Sequence, residues 1–543
     1  MKKWLAKIFG KENRTQNSPA GTVFTIPWEI NRQSIYQYLL PYTEGNEPLP
    51  EKAQILPDEN RLKGELCWVA GGIDGAFGHH GGGSTAEETA EQLLDMLIAA
   101  LEHPSKSNMQ KLYALLTDES PLDYIDLLME KLPQSPSISP PKLCDLMHWL
   151  AVESPDRNPV KCAIALLAYF PSDENKTLVA TLGLHEEFTL FTVVALRNML
   201  PAECLEEALF KLAKRVTGWG RIQLIERLPD DVSAATKDWL LRDGYSNSVM
   251  LEYTAWDCAT KGQLLTALTN DNVDSGLLIG AGDILSVLIN GGPARDIDDY
   301  ADGAQACHRF LALVRQTADD NINHLLNAGI IGDFVNDKDK NWESLLAKGW
   351  SEDLRQKMSD DSGIILDQPK WREKVEKDLT LSENPHYLTI QAAKRLEIDY
   401  WGAIFASQSL CPEVSNWYEL MQTESVERLE QILALAESQL DLPAIATGPD
   451  TQMGLGPQYQ QHSALGFILQ DLKRFPGKGW KLIKTGLRSP VIRNRHMALN
   501  ALESWPLEEP PAELRELLVA AYQQEPEDSI RERLEKALSE CKV

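Results

Sequence analysis

Apolar residues recur at helical spacing along most of this 543-residue chain. The stretch STAEETAEQLLDMLIAALEHP, residues 84–104, places leucines three or four positions apart, which is the period of an amphipathic helix. It opens with a capping box formed by Ser84 and Glu87. The stretch ESPLDYIDLLMEKLP, residues 119–133, begins with Ser120 as a cap and Pro121 in the first turn. The pattern predicts helices from about residue 85 to 440 and again from 460 to 543.

Apolar residues followed by proline mark the ends of these predicted helices at regular intervals. The pairs are Phe170-Pro171, Leu200-Pro201 and Leu228-Pro229, with Phe475-Pro476 and Trp505-Pro506 near the C-terminal end. About thirty residues between marks accommodate two short helices and two turns, which is one helical hairpin. We therefore expect an all-α protein built as an α-solenoid of stacked helical hairpins, with a small irregular N-terminal segment.

Two C-terminal stretches, SPVIRNRHMALNALESWP and PEDSIRERLEKALSEC, share an aliphatic-arginine pair followed about seven residues later by Ala-Leu. This pattern resembles HEAT-like repeats. The resemblance covers about eighty residues well and residues 140–270 loosely. HEAT-like arrays usually serve as interaction scaffolds, so the resemblance implies an interaction surface on stacked helices.

Shifts in composition divide the chain into five predicted segments. A smaller break is expected in SDDSGIILDQPK, near residue 365. The stretch SGLLIGAGDILSVLINGG, residues 275–292, fits either a helix or a strand, and we favour a helix because its neighbours are helical. The predicted segments are a basic tail at 1–21, an N-terminal segment with a glycine-rich loop at 22–84, a helical-repeat solenoid at 85–442, a linker at 443–461 and C-terminal HEAT-like repeats at 462–543.

The N-terminal segment does not fit the repeat. Its start predicts a short extended piece and one helix, and GELCWVAGG, residues 64–72, is the best strand candidate in the chain. The segment is similar to uncharacterised bacterial proteins labelled limonene hydroxylase, which would imply an enzyme. The chain has no haem-thiolate cysteine motif and no GxGxxG fingerprint after a strand, so its motifs do not support that label.

The glycine-rich loop AGGIDGAFGHHGGGST, residues 70–85, has three interpretations. A phosphate cradle would need a lysine where Ser84 stands. A metal site would need two more ligands beside His79 and His80, and Cys67 is the only nearby candidate. We favour a flexible surface loop, in which His79, His80 and Ser84 are candidate contacts to a partner.

The formal net charge of −27 argues against a protein that coats nucleic acid along its whole surface. One local exception is residues 471–496, here called the basic band, with eight Lys or Arg and one Asp. Its candidates for binding an anionic partner are Lys478, Lys481, Lys484, Arg488 and Arg495. If they bind, they should be exposed and free of internal carboxylates. The alternative is charge balance against acidic neighbours such as LEEPPAELRE, residues 507–516.

Eight scattered cysteines without a CxxC pair predict reduced thiols in a cytoplasmic protein. No apolar run approaches the ~20 residues of a membrane-spanning helix, and the first residues lack the apolar stretch of a signal peptide. Trp4, Leu5, Ile8 and Phe9 would share one face of a helix. The tail is therefore either a weak membrane or partner contact or simply a basic tail.

The sequence supports three hypotheses for function. The first is a non-enzymatic scaffold or adaptor that binds a partner protein through a solenoid surface, with no cofactor, catalytic residue or metal site expected. The second is an enzyme with its site where the N-terminal segment meets the solenoid, near the glycine-rich loop. The third is a helical-repeat nucleic-acid binder that uses the basic band.

Overall fold

A computed structural model describes residues 24–59, 69–72, 74, 86–382, 384–505, 511 and 513–540. Within these ranges the regular structure is helical, and the only extended pairing is an isolated parallel bridge between Gln452 and Val491. The prediction of an all-α protein is confirmed. None of the described helices is both long and apolar enough to cross a membrane.

The chain forms two compact units, one of Met1–Asp319 with Asn327–Ile365 and the other of Asp320–Leu326 with Leu366–Val543. The helices up to the division near residue 365 are numbered in chain order. They are α1 Ile35–Leu39, α2 Ala86–Glu102, α3 Lys106–Asp118, α4 Pro121–Lys131, α5 Pro140–Glu153, α6 Arg157–Leu167, α7 Asp173–Leu182, α8 Glu186–Met199, α9 Ala202–Ala213, α10 Gly218–Glu226, α11 Ala234–Trp239, α12 Glu252–Lys261, α13 Leu264–Thr269, α14 Ser275–Asn290, α15 Gly303–Gln316, α16 Ile322–Val335 and α17 Glu352–Leu366.

The remaining helices lie in the second unit. They are α18 Pro369–Leu381, α19 Tyr387–Arg395, α20 Trp401–Leu410, α21 Val414–Leu420, α22 Val426–Gln439, α23 Leu442–Ile445, α24 Gln460–Leu472, α25 Trp480–Leu487, α26 Ile492–Glu503, α27 Leu514–Gln524 and α28 Asp528–Glu540. Short 3₁₀ turns at Leu40–Tyr42, Glu51–Ala53, Leu132–Gln134, Trp342–Lys348 and Pro457–Tyr459 and a π turn at Leu240–Gly244 complete the described helical structure.

Local signals account for many helix ends. Helix α4 begins after Ser120 with Pro121 in its first turn, although the Ser120 hydroxyl makes no capping hydrogen bond. Helix α9 begins directly after Pro201, and α7 is capped by the Ser172 hydroxyl, which accepts from the N–H of Asn175. Residues 275–292 contain helix α14, which confirms the favoured interpretation of that stretch.

Helix α6 is enclosed by other helices of the first unit. It packs against α3, α4, α5 and α8, and nine of its eleven residues are buried. A helix that is covered on all sides needs apolar residues around its whole circumference, and PVKCAIALL, residues 159–167, meets that requirement except at Lys161. The buried lysine therefore requires partners from other parts of the chain.

Alternate helices pack side by side in the middle of this unit. Helix α6 lies against α8, α8 against α10, α10 against α12, and α12 against α14. Between them, α7 packs on α8, and α9 packs on both α8 and α10. Helices α7 and α8, and likewise α9 and α10, are therefore neighbouring pairs that lie between successive proline marks.

The described part of the N-terminal segment packs against other residues of the first unit. The Trp28 ring stacks on Trp149 at 5.1 Å between centroids, and the Arg32 guanidinium makes two hydrogen bonds, of 2.7 and 2.6 Å, to the Asp156 carboxylate. Helix α1 is the single helix expected near the start of the segment. Of the strand candidate, residues 64–68 lie outside the described residues, and 69–72 form a turn rather than a strand.

The second unit contains one continuous hydrophobic cluster that runs from Ile390 to Leu534. The predicted linker, residues 443–461, lies within this unit. Its backbone is hydrogen-bonded to the C-terminal cap of α25 and to the first residue of α26, since the N–H of Gly448 donates to Arg488 O at 2.9 Å and the N–H of Ile492 donates to Gln452 O at 3.1 Å. The glycine and proline content of this stretch thus accompanies an ordered connection between α23 and α24.

Candidate functional site

The basic band lies on α25 and the residues around it, and its lysines are paired. Lys478 Nζ lies 2.7 Å from Glu430, and Lys481 Nζ lies 2.9 Å from Glu437, both on α22. Lys484 Nζ lies 2.7 Å from Glu513. The amphipathic character of α25 is as predicted, because Ile483 and Leu487 are buried while Lys481 is exposed. Binding of an anionic partner was expected to require lysines that are free of internal carboxylates. These three lysines do not meet that condition.

The prediction that Arg495 is an exposed cation is wrong. Its side chain and that of Glu525 are each 1% exposed, and the two make a doubly hydrogen-bonded pair with distances of 2.8 and 2.7 Å. The sequence pattern predicted a helix at Arg495 but did not show that this position of α26 faces the core. Arg488 is exposed and has no ion pair with a carboxylate of the described residues. Whether the band binds a partner stays a prediction.

The candidate contacts of the glycine-rich loop, His79, His80 and Ser84, lie outside the described residues. The start of the loop is described and is anchored. Gly71 has a positive φ of 67°, and its N–H donates to the Glu187 carboxylate at 2.9 Å. A Cβ at this position would lie 2.8 Å from the carbonyl oxygen of Glu186, so glycine permits the close approach.

Next to this anchor lies a buried cluster of charges that we call the junction cluster: Asp58, Asp74, Arg157, Lys161 and Glu187. Lys161 Nζ lies 2.6 Å from Asp74 and 2.6 Å from Glu187. Arg157 makes two 2.9 Å hydrogen bonds to Asp58 and a further short bond to Glu59. The cations come from the first turns of α6, Glu187 from the first turn of α8, and the remaining acids from the N-terminal segment.

Electrostatics within the junction cluster favour the ionised state of its central pair. Burial disfavours the Lys161 ammonium, but Glu187 and Asp74 outweigh that cost and raise its pKa. Burial also opposes ionisation of Glu187, yet Lys161, Arg157 and the Gly71 N–H lower its pKa to about 2. Burial raises the pKa of Asp74 despite the neighbouring lysine. These ion pairs connect the N-terminal segment to α6 and α8.

A cavity of about 510 Å³ lies beside the junction cluster and is lined in part by Leu56, Val69, His185 and Glu186. His185 is buried, and burial lowers its pKa to about 4. Its Nδ1 accepts from the N–H of Glu187 at 3.2 Å, while Nε2 lies 3.2 Å from the carbonyl oxygen of Gln54. This arrangement fits a neutral imidazole that carries its proton on Nε2.

Glu186 has an unusual setting in the same cavity. Burial raises its pKa to about 7, although the Thr217 hydroxyl, at 2.8 Å, and the N–H groups of Trp219 and Gly220 at the start of α10 act to lower it. Gly218 makes room for the carboxylate, since a Cβ there would overlap Glu186 Oε2. A carboxyl group with a pKa near neutrality can both donate and accept a proton.

A groove of about 790 Å³ lies between α7 and α9, and we call it the α7–α9 groove. Its floor is apolar, with Leu184, Leu196, Leu200 and Leu212 below and Ala180 and Ala208 on the walls. Lys176, Lys211, Lys214 and Arg215 are the cations of its lining, and Glu207 is the acid. An apolar floor with polar edges is typical of a binding surface.

Sequence reasoning missed both the junction cluster and the α7–α9 groove. Lys161 was visible as a charge inside the apolar run VKCAIALLAYF, and KLAKR, residues 211–215, was visible as a basic cluster in an acidic chain. The sequence did not show which acids pair with Lys161, because Asp58 and Asp74 lie about ninety residues from α6. It did not show the groove either, because three separate helices form it.

Comparison of the chain with protein-family models, with curated proteins and with solved structures gives no match. The resemblances to HEAT-like repeats and to proteins labelled limonene hydroxylase therefore stay predictions. Any function assigned to the chain rests on the geometry of its own residues.

Proposed function

We propose that this protein is a non-enzymatic interaction scaffold or adaptor of the cytoplasm, an α-solenoid that binds a partner protein through a surface of its stacked helical hairpins. The α7–α9 groove is the observation that carries the proposal. Ala180, Leu200 and Ala208 of the groove are partly exposed, and apolar surface of this kind gains free energy on being covered by a partner. The side-by-side packing of α6, α8, α10 and α12 supports the solenoid architecture and gives the groove a rigid base.

Affinity capture with groove-filling variants tests this proposal. Ala208 is half-buried in the groove wall, so Ala208→Trp should fill the groove and abolish capture of the partner from the native cell extract. Ala202 is exposed at the start of the same helix and does not line the groove, so Ala202→Trp is the matched control and should retain capture. Equal capture by both variants, with the same partners identified by mass, would refute the groove as the binding surface.

A second candidate function is enzymatic, and Glu186 favours it. A half-buried carboxyl with a pKa of about 7 at a cavity of about 510 Å³ suits general acid–base chemistry. Incubation of the protein with a metabolite extract, followed by mass spectrometry, tests this candidate. Turnover that wild type shows and Glu186→Gln lacks would support an enzyme. Turnover that persists in Glu186→Gln would remove the assignment.

Nucleic-acid binding through the basic band has less support than either of these functions. Lys478, Lys481 and Lys484 each face a carboxylate, and Arg495 is buried. Phosphate binding requires cations that can exchange water and counterions for phosphate. Of the five candidates, Arg488 alone is exposed without an ion pair among the described residues.

A further inference from the structure

The charges around the α7–α9 groove run against the composition of the chain. The whole chain has 80 acidic residues and 53 lysines and arginines. The groove lining reverses this ratio, with the four cations Lys176, Lys211, Lys214 and Arg215 and the single acid Glu207. Random placement in an acidic protein would favour the opposite balance. The rim is therefore positive in a chain that is negative as a whole.

The rim cations are available to a ligand. Lys176 pairs with Asp173 at 3.1 Å, and Lys211 with Glu207 at 2.5 Å, but both are exposed pairs within one helix. Such pairs are weak, so a carboxylate from a partner can replace the internal one. Lys214 lies 4.5 Å from the Phe210 ring, and no ion pair to it is seen among the described residues.

Arg215 occupies a different position on the rim. Its guanidinium donates to the backbone carbonyl oxygens of Thr43 at 2.9 Å and Glu47 at 3.3 Å, which places Thr43 and Asn46 at the groove. Carbonyl oxygens accept these hydrogen bonds without neutralising the charge. Burial lowers the pKa of Arg215. A guanidinium nevertheless stays protonated in proteins. Its positive charge is therefore available to an anionic partner.

The walls of the groove define the size of the ligand. Helix α7 has 10 residues and α9 has 12, which correspond to lengths of about 15 and 18 Å at 1.5 Å per residue. A helix of three turns matches that length. Leucines on the floor and alanines on the walls suit side chains spaced three and four residues apart on one helical face. An apolar floor does not suit the phosphates of a nucleic acid.

We infer that the α7–α9 groove docks an amphipathic helix of a partner protein, with an apolar face flanked by aspartate and glutamate side chains. This inference rests on the proposed scaffold function and specifies the partner's chemistry. The partner's apolar residues cover Ala180, Leu200 and Ala208, and its carboxylates face the lysines of the rim. Binding of this kind depends on salt, because Lys211 and Lys214 are exposed.

Three labelled peptides of about 14 residues test the inference by fluorescence anisotropy on the full chain. All share one leucine face and differ only in their flanking residues, which are Glu, Gln or Lys. The Glu peptide should bind wild type roughly 16-fold more tightly than the Gln peptide, because four rim charges each contribute a factor of about two. The Lys peptide should bind more weakly still.

A charge-reversed variant tests the rim directly. Lys211→Glu with Lys214→Glu should invert the preference, so that the Lys peptide binds best. Lys106→Glu with Lys111→Glu is the matched control, since both residues are exposed on α3 outside the groove, and it should leave the preference unchanged. Lys214→Gln removes one rim charge more gently and should reduce the advantage of the Glu peptide about twofold if the double variant does not fold.

The outcomes separate this inference from the function on which it rests. A Gln or Lys peptide that binds wild type as tightly as the Glu peptide overturns the acidic partner and leaves a binding groove. Absence of binding by all three peptides overturns the docked helix. The proposed scaffold function fails separately, if Ala208→Trp captures the same partners as Ala202→Trp.

Discussion

Two kinds of ion pair occur in the basic band, and removal of their carboxylates should have very different costs. Glu525→Ala removes the partner of Arg495, while Glu437→Ala removes the partner of Lys481. Both changes delete one glutamate and both partners belong to the second unit. They differ in solvent exposure, since Arg495 and Glu525 are each 1% exposed and Lys481 and Glu437 are 58% and 38% exposed.

The expected costs follow from that difference. Glu525→Ala deletes hydrogen bonds of 2.8 and 2.7 Å and leaves the guanidinium buried, with only the Ser489 carbonyl oxygen, at 2.8 Å, still accepting from it among the described residues. An uncompensated buried charge of this kind costs about 3–5 kcal/mol of unfolding free energy. Glu437→Ala breaks an exposed pair, which costs about 0.2–1 kcal/mol because water replaces the lost partner.

Urea unfolding at pH 7, followed by circular dichroism, measures these costs. With a denaturant slope of about 2 kcal/mol per molar, Glu525→Ala should lower the midpoint of the second unit's transition by about 2 M. Glu437→Ala should lower it by less than about 0.5 M. Equal small shifts in the two variants would show that the Arg495–Glu525 pair is not buried as described.

A compensating double variant separates lost charge from lost packing. Arg495→Met with Glu525→Leu replaces the ion pair by apolar side chains of similar size, and such exchanges are often neutral in stability. The double variant should therefore regain most of the midpoint lost in Glu525→Ala. A double variant that remains as unstable as the single one would assign the cost to packing rather than to the unpaired charge.

Two further predictions concern the junction cluster and its cavity. His185 has its pKa lowered to about 4, so its contribution to stability is full above pH 6.5 and is lost as the pH falls towards 4. Glu186 has its pKa raised to about 7, so its contribution is full below pH 4.5 and is lost as the pH rises towards 7. The two contributions change with pH in opposite directions. Between pH 4.5 and 6.5, Glu186→Gln should therefore make the free energy of unfolding rise more steeply with pH, and His185→Asn should make it fall with pH, by up to about 1.4 kcal/mol per pH unit in urea titrations. An unchanged pH dependence in these variants would contradict both assignments. Lys161→Met leaves Glu187 and Asp74 without their ammonium and should lower the free energy of unfolding by about 3–5 kcal/mol in the first unit's urea transition. Adding Glu187→Gln to this variant should recover part of the lost stability. A cost below about 1 kcal/mol would show that stability does not need these ion pairs.

Helices were predictable wherever the signal was local. Helix α4 follows from Ser120, Pro121 and its apolar period, and α14 was favoured from the helical character of its neighbours. Each of these signals lies close in sequence to the helix that it specifies, so no knowledge of distant residues was needed. The reduced state of the cysteines was also inferred locally, and the structure has Cys162, Cys258 and Cys307 as buried free thiols.

The candidate sites were less predictable because charges acquire partners across the chain. The basic face of α25 was predicted correctly, but Glu430 and Glu437 approach it from α22, more than forty residues away. Lys484 pairs with Glu513, which lies in the acidic stretch that the charge-balance alternative named. Burial of Arg495 depends on Glu525 thirty residues further on, and no local pattern encodes that distance.

By itself, the sequence determined which segments are helical and which face of each helix is apolar, because helical periodicity and capping act over a few neighbouring residues. Tertiary structure alone decided that Lys161 is buried between Asp74 and Glu187, and that α7 and α9 stand apart above Leu196 and Leu200. The physical reason is that solvation and pairing of a charge depend on every element that packs around it, and those elements come from distant parts of the chain.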